Sequence, residues 1–119
     1  MKAIAEFLKV LGDEARISML WLLARRADVC VCDFMAVLDC TQSKASRHLR
    51  TLLHAGLVSH RRVGQWSHYS LRPVRDRLAA SVVRTLCEGF GARRDAGRLL
   101  AKLDASLAAK GRRIEGNCR

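Results

Sequence analysis

Thr41-Gln42-Ser43-Lys44-Ala45-Ser46-Arg47-His48-Leu49-Arg50-Thr51-Leu52-Leu53-His54-Ala55-Gly56 is the stretch on which the fold turns. Thr41 is a good N-cap, because its hydroxyl can accept from an unpaired N–H of the first helical turn, and Gly56 suits a helix C-terminus. Between them Ala45, Leu49, Leu52 and Leu53 share one helical face, while Ser43, Lys44, Arg47, Arg50 and His54 project from the other. The period then changes. Residues 57–63 and 66–71 are rich in Val, Trp, Tyr and Ser and flank Gly64-Gln65, which predicts a β-hairpin with Arg61 and Arg62 near its tip beside Gln65.

Upstream, Ile4, Phe7, Leu8 and Leu11 recur at helical spacing up to Gly12, and Asp13 can cap a second helix carrying Ile17, Leu20, Trp21 and Ala24. Arg25 and Arg26 fall in its last turn, where cations complement the helix dipole. A short helical pattern, Phe34, Val37 and Leu38, follows Val29-Cys30-Val31-Cys32. Downstream, Pro73 is expected to open a helix to about Cys87, with Leu78, Val82 and Leu86 on one face and a break at Glu88-Gly89-Phe90-Gly91. A last helix carries Leu99, Leu100, Leu103 and Leu107. The expected organisation is one domain over residues 1–110, with a flexible polar tail over 111–119.

A chain of 119 residues is a single domain by size, and its modest core would gain from pairing with a second copy. The formal charge of +11 points to an anionic partner. From Thr41 to Arg75 there is no Asp or Glu, whereas that span holds seven Lys or Arg and all four histidines. A basic helix face followed by a basic hairpin matches a mainly α winged helix-turn-helix, with five to six helices and one hairpin wing. Such a module lays its second helix in the major groove of double-stranded DNA, so Gln42, Ser43, Lys44, Ser46, Arg47, His48 and Arg50 are the candidate contacts. Arg61, Arg62 and Gln65 suit phosphate or minor-groove contact. A membrane surface fits less well, because the helix's apolar face is needed for the core. No apolar run approaches the roughly 20 residues that span a bilayer, and Met1 to Glu6 shows no signal-peptide pattern, so the cytosol is expected.

Five cysteines in a reducing compartment favour metal binding, catalysis or burial over a disulfide framework. Cys30 and Cys32, flanked by Asp28 and Asp33, abut the acid-free span and can offer soft thiolate ligands to a metal or metalloid. On a regular helix, residues two apart do not face each other, so one atom bound by both sulfurs requires locally extended backbone. A helix N-terminus would favour the thiolates, and the two aspartates would oppose them.

Asp28-Val-Cys-Val-Cys-Asp-Phe, Thr41-Gln-Ser-Lys-Ala-Ser-Arg-His-Leu, Ala55-Gly-Leu-Val and Gly64-Gln-Trp-Ser-His-Tyr-Ser-Leu together resemble the ArsR/SmtB family of winged-helix metal-sensing repressors, most closely its arsenic-responsive branch. The resemblance runs from about Ile4 to Cys87. It implies a homodimer formed through the first and fifth helices. It also implies repression of an arsenic-resistance operon, relieved when trivalent arsenic or antimony, as arsenite or an organoarsenical, binds the cysteines; no cofactor is implied. That branch has a third cysteine three residues after the pair, where this chain has Met35. Cys118 is the leading replacement, then Cys40 or Cys87; Cys40 lies eight residues past Cys32, about 12 Å away along a helix. No cysteine precedes Cys30 and no histidine follows His68, which weakens the patterns of the cadmium/lead- and zinc-sensing relatives.

Two readings compete with this one: a thiol-redox-sensing repressor using Cys30 and Cys32, and an architectural DNA-binding protein with no ligand. An enzyme is not expected, because the sequence offers no Ser-His-Asp or Cys-His constellation.

Overall fold

The computed structural model describes residues 1–112. In chain order the elements are α1 (Lys2–Leu11), α2 (Glu14–Arg25), β1 (Val29–Cys30), α3 (Val31–Leu38), α4 (Gln42–His54), β2 (Val58–Val63), β3 (Trp66–Leu71), α5 (Arg77–Gly91) and α6 (Arg94–Arg112). Local signals set most of these boundaries. The Asp13 carboxylate accepts from the Arg16 N–H and the Thr41 hydroxyl from that of Lys44, each closing a first turn. Gly56 ends α4 at φ 78°, a backbone region that a side chain disfavours. Val63 pairs with Trp66 across a two-residue turn in which Gly64 stands first at φ 63°, the Gly-X order of a type II′ hairpin.

Three antiparallel strands form a sheet in the order β1-β3-β2. The hairpin was legible in the sequence, but β1 was not: Val29 pairs with Tyr69 and Cys30 with His68, which brings the cysteine segment onto the hairpin. Met19 and Leu22 of α2, Phe34 and Val37 of α3, Leu49 and Leu52 of α4, and Leu57 and Val58 at the start of the hairpin form the core. Leu103 of α6 is buried in the same cluster. Each of these side chains contributes roughly 1.5–3 kcal/mol through burial.

The expectation for α5 is corrected at both ends. Pro73 lies in the connection, and the helix starts at Arg77 because the Asp76 carboxylate accepts from the Ala79 N–H at 2.9 Å. It continues through Glu88-Gly89-Phe90 to Gly91, held by Phe90, whose ring meets Trp21 edge-on at 5.3 Å between centroids. A Cβ on Gly91, the last residue of α5, would stand 3.2 Å from Trp21 Nε1, so a glycine here lets the indole approach. The last predicted helix forms as α6 and runs to Arg112, past the expected start of the tail at Gly111; residues 113–119 lie outside the described part of the chain.

α6 is fastened across α3 and the end of α2. Ser106 Oγ donates to Asp33 Oδ1 at 2.7 Å, and Arg26 donates to both carboxylate oxygens of Asp104 at 2.8 Å. No helix among the described residues is long and apolar enough to cross a membrane.

Candidate nucleic-acid interface and thiol pair

Ala45, Leu49 and Leu52 are fully buried and fix α4 against the core. Gln42, Ser43, Lys44, Arg47 and Arg50 are exposed on its outer face, and Ser46 is half-buried. His48 departs from the expected DNA contacts. It is 8% exposed and turns inward, with Nδ1 3.1 Å from Arg16 Nη1 and 3.9 Å from Asp13. An arginine can only donate, so Nδ1 accepts and the neutral ring carries its proton on Nε2. Burial, reinforced by Arg16, Arg47 and Lys44, holds this histidine below its usual range although Asp13 pulls the other way. Arg16, which sequence reasoning missed, also donates through Nε to the Val10 carbonyl at 2.6 Å and so ties the end of α1 to α4. Its signal was a guanidinium placed between apolar residues at the start of α2.

On the wing, Arg62 and Gln65 are exposed at and beside the turn. Arg61 is placed differently from the expectation. It lies on the hairpin shaft opposite His68, and its Nη2 donates to Asp28 Oδ2 at 2.7 Å. His60 stacks on Tyr69 at 5.7 Å between ring centroids.

Cys30 occupies the N-cap of α3 in extended backbone (φ −78°, ψ 152°), and Cys32 is the second helical residue. This places their sulfurs 2.9 Å apart, with Cys30 Sγ also accepting from the Cys32 N–H at 3.4 Å. The local extension that shared ligation requires is therefore built into the fold, and the helix start need not unwind to bring the sulfurs together. Cys30 is buried and disulfide-bonded in this structure, and Cys32 is half-buried, so the two offer a pair of thiolates in the reduced protein. Asp33, fully buried, accepts from the Cys30 N–H through Oδ2 at 3.1 Å, completing a capping box. Both flanking aspartates thus have partners, Asp33 in the Cys30 amide and Ser106, Asp28 in Arg61.

The structure brings no third cysteine to this pair among the described residues. Cys40 follows the C-cap of α3, at the other end of that helix, and burial raises its pKa above the ordinary thiol value. Cys87 is half-buried beside Trp21 and Val83, and burial raises its pKa too. Cys118 lies outside the described residues. Among those residues, no group of three or more His, Cys, Asp or Glu is placed to hold one ion.

An exposed basic helix packed on a helical core and followed by a hairpin makes this a winged-helix DNA-binding protein. Residues 13–60 match the family described as bacterial regulatory protein, arsR family. The chain is 40% identical over 78 residues to the arsenical resistance operon repressor of Escherichia coli, covering 66% of this chain and 67% of that protein. It is 45% identical over 65 residues to the arsenic resistance transcriptional regulator ArsR1 of Pseudomonas putida, covering 55% of this chain and about half (51%) of the relative. A cadmium resistance regulatory protein homologue of Staphylococcus aureus is 32% identical over 68 residues, covering 57% and 56%. The fold matches reduced HlyU of Vibrio cholerae with a TM-score of 0.62 and 25% identity, over 75% of this chain and 90% of that one. The chain belongs to the ArsR family of bacterial transcriptional regulators, and it is a DNA-binding regulator rather than an enzyme.

Proposed function

We propose that the protein is a cytosolic, homodimeric repressor of an arsenic-resistance operon that leaves its operator when trivalent arsenic or antimony binds Cys30 and Cys32. The observation that carries this reading is the 2.9 Å approach of the two sulfurs at the N-cap of α3. Two thiolates sharing one atom at roughly 2.3 Å per bond stand about 3.5 Å apart, a separation that small side-chain rotations supply once Cys30 is reduced. Soft sulfur donors suit a metalloid, and each exchange of a thiol for a hydroxyl on arsenite forms one As–S bond and releases one water. Two thiols complete the exchange for an arsenical already carrying one organic group; arsenite keeps one hydroxyl or takes a third sulfur, for which Cys118 is the proposed donor.

The dimer reading is supported by a groove between α1 and α5 where Ile4, Phe7, Val74 and Leu78 lie beside Arg72, Arg75 and Asp76. Leu8 and Leu78 remain 49% and 58% exposed in the single chain.

A hundredfold loss of DNA affinity requires about 2.7 kcal/mol of difference between the two states. Ligation engages the sulfur that caps α3, and a lost N-cap costs about 1 kcal/mol. The cap alone is too small, so the remainder has to pass through other contacts of Cys30.

Fluorescence anisotropy on the promoter fragment of the protein's own gene tests this function. Arsenite is expected to release the wild type, while Cys30→Ser and Cys32→Ser keep DNA binding and do not respond. A full arsenite response in either variant refutes the reading, and release by oxidant but not by arsenite favours the redox alternative.

A further inference from the structure

The thiol segment and the wing are joined by side chains as well as by backbone pairing. Cys30 stands opposite His68 on β3, and His68 stands opposite Arg61 on β2, so the three form one row across the sheet. Asp28, two residues before Cys30, closes over that row. The same carboxylate oxygen lies 2.7 Å from Arg61 Nη2 and 3.4 Å from His68 Nδ1. The hairpin has no acid of its own, since none occurs from Thr41 to Arg75, and this carboxylate reaches it from the cysteine segment.

We propose that Asp28 is a positioning residue that makes the wing move with the thiol pair, with Arg61 serving as a strut to Asp28 rather than as a contact to DNA. This rests on the metalloid-sensing reading above and deepens it. Arg61 and Asp28 are 64% and 38% exposed in their side chains, and pairs so exposed contribute little to folding stability. Geometry gives the pair its importance. β1 is only two residues long, so its hold on β3 is slight, and Asp28 adds a second attachment on the side facing Arg61. A displacement of Cys30 on ligation carries Asp28 with it, and Asp28 draws the hairpin through Arg61 and His68. Without the clasp the thiols can still be occupied, but the wing no longer registers it. The freed guanidinium, still on a basic wing, turns to phosphate.

The test compares wild type, Asp28→Asn, Arg61→Gln and the double variant by operator anisotropy across salt concentrations, with thiol counting under arsenite. Asp28→Asn should steepen the slope of log affinity against log salt by about 0.9, the signature of one added phosphate contact. Arg61→Gln and the double variant should keep the wild-type slope. Both single variants should protect the same thiols as wild type, yet arsenite release should fall from roughly a hundredfold to less than tenfold. A slope flattened by about 0.9 in Arg61→Gln would make Arg61 a phosphate contact and overturn the strut. An unchanged slope or full release in Asp28→Asn overturns the proposal as well. If arsenite protects no thiol in the wild type, the sensing reading fails by itself, and the salt slopes alone then decide the Asp28–Arg61 clasp.

Discussion

Replacing Asp33 with alanine should cost more stability than any exposed substitution in the protein. The Asp33 carboxylate is fully buried, and it accepts from the Cys30 amide at 3.1 Å and from the Ser106 hydroxyl at 2.7 Å. Hydrogen bonds to charged groups contribute about 1.5–3 kcal/mol each, and truncation leaves both donors without this acceptor. The expected loss for Asp33→Ala is therefore about 3–5 kcal/mol, a large part of the 5–15 kcal/mol typical of a domain. Asp33→Asn retains one acceptor oxygen and should lose about half as much. Because Ser106 is 73 residues away on α6, a double-mutant cycle of Asp33→Asn with Ser106→Ala should show coupling of about 1 kcal/mol. Urea unfolding followed by the fluorescence of Trp21 and Trp66 measures this at one fixed protein concentration, since any dimerisation adds to apparent stability. A loss below about 1 kcal/mol for Asp33→Ala would refute the claim that this carboxylate joins the thiol helix to α6.

Protonation of His48 supplies a pH test. Its folded pKa is depressed, mainly by burial, so the unfolded chain binds the proton more readily. The stability it contributes is present above the unfolded value near 6.5 and is lost as pH falls from there toward the depressed folded value; His48→Gln should flatten urea-unfolding stability over that window. Arg47→Ala should cost about 1–3 kcal/mol of specific DNA binding and relax specificity, whereas Arg62→Ala should weaken all duplexes alike and flatten the salt slope. Equal behaviour of the two on operator and random DNA would remove α4 from the reading role. Cys118→Ser should weaken the response to arsenite more than to a methylated arsenical, and an unchanged arsenite titration would take that residue out of the site.

Where signals were local, the sequence was enough. Asp13, Thr41, Gly56 and Gly64 act within three or four residues of themselves, so caps, the α4 boundaries and the hairpin turn could be read directly. Even the inward turn of His48 was written there, because 45, 48, 49 and 52 follow the i, i+3, i+4, i+7 spacing of one helical face. The Cys30 and Cys32 pair was visible as a motif, along with the need for extended backbone between its sulfurs. Their actual approach depended on Cys30 ending a strand and capping a helix at once, and that strand exists only because β3 lies beside it. Asp28 meets Arg61 across 33 residues, Ser106 meets Asp33 across 73, and Arg26 meets Asp104 across 78. No periodicity encodes such pairs. They arise when packing of the apolar faces brings distant segments together, and a polar group near the new interface then takes whichever partner the packing leaves within reach.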